Sequence, residues 1–200
     1  MKFAHEQFER ECMQEIAKRD RVLDVGGGSR FQKGMKTYES LFANTAYETM
    51  DISSDYSPDI VGDIHAIPLA DASVDAIICR SVLEHVKNPN VAIIELHRIL
   101  KPGGLLFLQV PSTYPYHARK GVGAYKDYWR FFDDTLELFG ESFTSYKIVR
   151  HGGWFLAMSF FFPGQALMRK SLDYIALFFD NVFATQKKTT TAFYSVLLMK

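Results

Sequence analysis

Three consecutive glycines, Gly26, Gly27 and Gly28, stand directly after the apolar run 21–25 (RVLDV). A glycine turn behind a buried strand lets a ligand approach the backbone and leaves amide groups facing it, because no Cβ intervenes. The pattern implies a nucleotide-like ligand. A dinucleotide fingerprint would need glycine at 26, 28 and 31, and position 31 is Phe31, which weakens a nicotinamide cofactor. Two acids occupy comparable places, with Asp51 closing the run 46–51 and Asp63 closing 59–63. Ligands of open α/β sheets sit beyond the carboxyl ends of the strands, where a carboxylate can accept two ribose hydroxyl hydrogen bonds. His85 follows the run 74–79 and offers an imidazole suited to general base chemistry near neutrality. Farther on, 111–118 (PSTYPYHA) and 127–132 (DYWRFF) gather Tyr114, His117, Tyr128, Trp129 and Arg130. Such rings can stack on a ring or sugar face, and a guanidinium can hold a carboxylate or phosphate through two parallel bonds. His5, His65, His97, His117 and His151 lack Cys or carboxylate partners at ligand spacing, so no metal site is expected.

Those residues need a scaffold, and the sequence outlines one. Residues 1–19 place Phe3, Phe8, Cys12 and Ile16 at helical spacing among charges. Strand candidates are 21–25, 46–51, 59–63, 74–79 and 104–110. Between the last two, Pro89 near a helix start and apolar residues at three and four spacing predict a helix to residue 100. This alternation is the mark of a parallel sheet with helices on both faces. Beyond it, Asp133 or Asp134 is expected to cap a helix ending at Phe139, 142–149 reads as a sixth strand, 154–183 as largely helical with a break at Pro163 and Gly164, and 190–199 as a final strand. Two hundred residues with 48% hydrophobic and 23% charged side chains suit one soluble core and exclude wholesale disorder. Net charge is zero, so nothing marks a nucleic-acid partner. That zero conceals 16 basic and 21 acidic side chains in 1–141 against 7 and 2 in 142–200. Cys12 and Cys79 fall in apolar patterns that suit packing in a reducing compartment.

The runs 22–28 (VLDVGGG), 50–52 (MDI), 62–64 (GDI), 69–75 (LADASVD), 83–86 (LEHV) and 96–104 (LHRILKPGG) resemble the successive motifs of class I S-adenosylmethionine-dependent methyltransferases. The resemblance implies a Rossmann-like, doubly wound α/β fold: a mostly parallel seven-stranded sheet with a final antiparallel strand. It implies S-adenosylmethionine as cofactor, with Asp24, Gly26, Gly27 and Gly28 at its methionine end, Asp51 and Ile52 at the ribose, Asp63 and Ile64 at the adenine, and Arg80 also at the cofactor. Where the family's turn often carries a further glycine, this chain has Arg30. Expected catalytic groups are His85 and Tyr128; Tyr114, His117, Trp129 and Arg130 are expected on the acceptor.

The expected organisation is a single methyltransferase domain over 1–200, with an N-terminal helix (1–19), a cofactor-binding core (20–112), and acceptor-side loops, aromatic helices and closing strand (113–200). The expected reaction is methyl transfer to a small-molecule, sugar or lipid-linked acceptor, at oxygen before nitrogen. A non-catalytic S-adenosylmethionine-binding partner subunit and an NAD(P)-dependent oxidoreductase are the alternatives. No secretory signal is evident, so a cytoplasmic location is expected. The aromatic, basic segment 142–200 reads as a cover for the sheet, as a homodimer contact, or as a peripheral surface for anionic membrane.

Overall fold

The computed structural model describes residues 3–121, 123–162, 165–185 and 190–200. Helix α1 (Ala4–Ile16) leads into β1 (Arg21–Val25), a 3-10 helix (Met35–Phe42) and β2 (Ala46–Asp51). There follow β3 (Ile60–Val61), β4 (Val74–Arg80), α2 (Pro89–Ile99), β5 (Leu100–Pro111), α3 (Asp133–Gly140), β6 (Ser145–His151), α4 (Trp154–Ser159), α5 (Gln165–Val182) and β7 (Phe193–Met199). The strands form one sheet in the order β3-β2-β1-β4-β5-β7-β6. The first five are parallel; β7 is antiparallel to β5, and β6 antiparallel to β7. This is the expected sheet, closing antiparallel strand included.

Alternate residues of a strand face opposite sides, and both sides are buried here. Leu23, Val25, Ile77, Cys79, Leu106 and Leu108 meet Ala92, Ile93, Leu96 and Ile99 of α2. On the other side Val22, Ala76, Ile78 and Phe107 meet Phe8, Cys12, Met13 and Ile16 of α1 with Met35, Tyr38 and Phe42. Helix α2 starts where expected because the Asn88 side chain accepts from the Val91 amide (3.4 Å) and Pro89 lacks the amide that the first turn would leave idle. Cys12 and Cys79 are free and buried.

After Gly28 the residues Phe31, Lys33 and Gly34 take left-handed φ of 58°, 50° and 85°, which interrupts any right-handed helix before the 3-10 segment begins. Two expectations change. Strand β5 begins at Leu100 rather than 104, because Leu100 already pairs with Val74 and the intervening turn is bulged out before Leu105 pairs with Ala76. Asp133 and Asp134 do not cap α3. Phe132 holds that position, and the Asp133 carboxylate instead accepts from Arg150 Nη2 (2.6 Å) and the Tyr194 hydroxyl (2.7 Å), tying α3 to the sheet.

Helices α4 and α5 pack together through Leu156, Ala157, Ala176 and Leu177. Buried Asp180 of α5 accepts from the amides of Gly153 (2.7 Å), Phe155 (2.8 Å) and Leu156 (3.0 Å), groups that the start of α4 leaves without helical partners. The expected break at Pro163 and Gly164 lies outside the described residues. No helix among the described residues is long and apolar enough to cross a membrane.

Candidate active site

The strand order reverses direction between β1 and β4, and beyond their carboxyl ends lies a cavity of about 720 Å³, a size that suits a nucleotide-like ligand. Gly26, Gly28, Asp51, Ile52, Asp63 and Ile64 line one part of it; Tyr114, His117, Tyr125, Tyr128 and His85 line another.

The glycines are demanded by geometry. Gly26 sits at φ +67°, its amide donates to the Met50 carbonyl (2.7 Å), and a Cβ there would overlap the Val82 side chain. A Cβ on Gly27 would overlap the Asp24 carboxylate, so backbone and carboxylate lie against each other. Asp24 is 3% exposed, accepts from the Tyr47 hydroxyl (2.6 Å), and is pushed up to about 6 by burial. Asp51 Oδ1 accepts from the Ser53 amide (3.0 Å), which fixes the carboxylate at the strand end. Asp63 accepts from the His65 amide (2.9 Å) and lies 2.6 Å from His65 Nδ1; these bonds hold it below the usual carboxylate range.

A hairpin roofs the cavity. Arg119 and Tyr125 pair as an antiparallel bridge; between them the Gly123 amide donates to Asp55 Oδ2 (2.9 Å) and the Gly123 carbonyl accepts from the Tyr56 hydroxyl (3.4 Å). A Cβ on Gly123 would overlap the Tyr56 ring.

Beneath this roof three side chains converge. Glu84 is fully buried, and neither carboxylate oxygen has a hydrogen-bond partner. His85 Nε2 lies 3.7 Å and His117 Nε2 3.8 Å from Glu84 Oε1. The other ring nitrogens are engaged, His85 Nδ1 at 2.7 Å from the Lys126 carbonyl and His117 Nδ1 at 3.1 Å from Asp127 Oδ2. Burial lowers His85 to about 4 and raises Glu84 to about 7. Burial also works against ionised Asp127, but the bonds from Arg130 and His117 bring it down to about 2.

A cradle that only glycine fits, an acid at the next strand end and a cavity at the sheet's switch point suit S-adenosylmethionine, and the comparisons agree. Residues 23–108 match the family described as "Methyltransferase domain". Residues 23–108 form a class I S-adenosylmethionine-dependent methyltransferase domain. A SAM-dependent methyltransferase from Archaeoglobus fulgidus shares the fold at a TM-score of 0.62 with 14% identity, over 97% of this chain and 92% of that one. The malonyl-[acyl-carrier protein] O-methyltransferase of Methylococcus capsulatus is 33% identical over 97 residues, 43% of this chain and 35% of its own length. A thiol S-methyltransferase of Rattus norvegicus is 51% identical over 39 residues, 20% of this chain and 16% of its own. The chain thus spans about a third or less of the length of these curated relatives.

In this methyltransferase domain ten of the expected site residues line the cavity: Gly26, Gly28, Asp51, Ile52, Asp63, Ile64, His85, Tyr114, His117 and Tyr128. Asp24 and Gly27 stand behind the glycine loop. Arg80 is elsewhere: its guanidinium meets Glu9 (3.3 Å), Gln109 and the Met35 sulfur, which anchors α1 to the sheet and leaves it out of the cavity wall. Trp129 and Arg130 line a separate shallow depression. Trp129 Nε1 donates to the Val86 carbonyl (2.9 Å), while Arg130 grips both Asp127 oxygens (2.6 and 2.7 Å) and the carbonyls of Tyr114 and Pro115. Arg130 therefore positions Asp127, and through it His117, in place of holding an acceptor. Arg30, the departure at the turn, forms a bidentate pair with Asp59, which also accepts from the Thr49 amide, so the loop exit is fastened to β2.

Sequence reasoning missed Glu84, Asp127, Tyr56 and the bridge between Arg119 and Tyr125. Its expectation of histidines without carboxylate partners is also corrected, because Glu84, His85 and His117 bring ligand atoms within 4.8 Å of one another.

Proposed function

We propose that the chain transfers a methyl group from S-adenosylmethionine to a nucleophilic atom, oxygen before nitrogen, of a small or glycan-like acceptor whose reacting end lies beside His85, His117 and Tyr128. The observation that carries this is the division of one cavity into a glycine and acid side and a histidine and tyrosine side. Bound on the first side, S-adenosylmethionine supplies an electrophilic methyl group. The chain's task is then alignment: Asp51 and Asp63 fix the nucleoside, the Gly26–Gly28 backbone the methionine part, and the hairpin excludes water. At the acceptor side His85 is uncharged at neutral pH, and its imidazole and the tyrosine hydroxyls border the space an incoming hydroxyl would take. The three-residue cluster favours catalysis over a non-catalytic partner subunit, which has no use for a buried carboxylate facing two imidazoles. The relatives' names cover an O- and an S-methyltransferase, so a thiol stands beside the oxygen acceptor in the test. The test incubates purified protein with labelled S-adenosylmethionine and sugar nucleotides, lipid-linked sugars, small carboxylates or thiols. Methylated sugar or carboxylate supports the reading; transfer to thiols alone replaces the acceptor atom, and no cofactor binding by calorimetry refutes it.

We also propose that α4 and α5 form a peripheral face for anionic lipid. Trp154, Phe161, Phe162, Phe178 and Phe183 are each about half exposed or more, and the segment 142–200 carries the basic excess; rings with Lys and Arg suit the lipid interface. Phe160 packs on Tyr114 and Phe193 and does not belong to this face. Cosedimentation with anionic vesicles should weaken with salt and drop for Phe161→Ser/Phe162→Ser. Protein that stays in the supernatant at low salt, or that sediments as a dimer without lipid, assigns the face to a subunit interface.

A further inference from the structure

We propose that Glu84, His85 and His117 hold a divalent transition-metal cation of the zinc class at the acceptor end of the cavity. The chain's own chemistry asks for one. A fully buried carboxylate with two unpartnered oxygens is rare, since buried polar groups are nearly always satisfied. The two Nε2 atoms stand 3.7 and 3.8 Å from Glu84 Oε1, beyond hydrogen-bond range. Two ligand atoms bound at about 2.1 Å to one cation lie roughly 3–4 Å apart, the separation found here between each imidazole and the carboxylate, and all three ligand atoms lie within 4.8 Å of one another. Two imidazoles and a carboxylate form a donor set that suits zinc and its first-row neighbours and leaves positions open.

The supporting contacts are those of metal-binding histidines, whose second nitrogen donates to a carbonyl or carboxylate and so turns the lone pair of the first toward the metal. His85 Nδ1 has the Lys126 carbonyl for this, and His117 Nδ1 has the Pro115 carbonyl (3.3 Å), with the Asp127 carboxylate, itself clamped by Arg130, 3.1 Å away and accepting from the His117 amide. His85 and His117 both line the cavity, so its open space meets the cluster and gives the cation an entry.

The role of such a cation rests on the methyl-transfer reading. An acceptor hydroxyl bound to it loses its proton to water more readily. A lone pair of that oxygen then forms the bond to the methyl carbon as the carbon–sulfur bond breaks, and the released electron pair neutralises the sulfonium.

The experiment titrates the metal-depleted full chain with Co²⁺, read by its d–d absorption, and then displaces it with Zn²⁺. One equivalent should bind. Affinity should fall at least about tenfold in Glu84→Gln and in His117→Ala, and by about 10- to 100-fold in Asp127→Asn. His117 lies on the surface loop, so its variant stays informative if the Glu84 variant fails to fold. Wild-type protein that binds no more Co²⁺ or Zn²⁺ than Glu84→Gln/His117→Ala overturns the proposal. S-adenosylmethionine calorimetry on the same samples separates the two readings: wild-type protein that takes Co²⁺ but no S-adenosylmethionine refutes methyl transfer and leaves the metal site standing.

Discussion

Replacing Asp24 by Asn should stabilise the protein at high pH and leave it nearly unchanged at low pH. Asp24 is almost fully buried behind Gly27, with the Tyr47 hydroxyl donating to it. Burial raises it from 3.8 to about 6. The folded state therefore holds its proton to higher pH than the unfolded chain does, and stability falls as pH rises from about 4 through about 6. Each unit is 1.36 kcal/mol, so the full loss is about 3 kcal/mol, most of which falls between pH 4 and pH 8. Asn keeps an oxygen for Tyr47 and never ionises, so the effect vanishes in Asp24→Asn. Urea unfolding of both proteins without cofactor, at pH 4 and pH 8, should show the variant gaining on wild type by about 2 kcal/mol, with all other groups cancelling in the difference. A gap that is the same at both pH values, or that moves toward wild type as pH rises, refutes the burial argument.

Asp51→Ala should weaken S-adenosylmethionine binding by about 1.5–3 kcal/mol, roughly ten- to a hundredfold, with the fold intact; calorimetry measures it. Arg130→Ala leaves the buried Asp127 carboxylate without its guanidinium and should destabilise by about 3 kcal/mol, while Arg130→Ala/Asp127→Asn recovers part of the loss and cofactor affinity stays unchanged in both. Chemical denaturation reads the first effect, and recovery absent from the double variant counts against the charge argument.

What the sequence disclosed was local. The glycine turn, the Asn88 cap and the strand-end acids are each set by neighbours a few residues away, and a reader of the chain can find them. The Glu84 cluster joins residues 84, 85 and 117 through a loop that folds back over the cavity, and nothing in spacing announces that His117 returns there. The Asp133 misreading has the same origin: an acid ahead of a helix resembles a cap, but Tyr194, 61 positions later, and Arg150 claim it. Arg80 was misplaced because a strand end points toward the ligand side of the sheet, whereas its long side chain turns back to Glu9 on α1. The left-handed turn after Gly28 could not be read at all, since Phe31 and Lys33 are residue types that rarely adopt left-handed φ.

The position of β7 between β5 and β6 has a consequence for how the chain is made. Synthesis is vectorial, and β6 leaves the ribosome with a sheet partner, β7, that does not yet exist. Until Phe193–Met199 arrives, the inner edge of β5 stays open and Ser145–His151 carries bare amides and carbonyls, an invitation to pair with a neighbouring chain. The last strand enters as a wedge between two waiting edges, satisfying both ladders in one step. Arrest of translation before Phe193 would therefore leave both edges exposed, and a holdase that covers a β edge would serve this chain best in the interval before β7 is released.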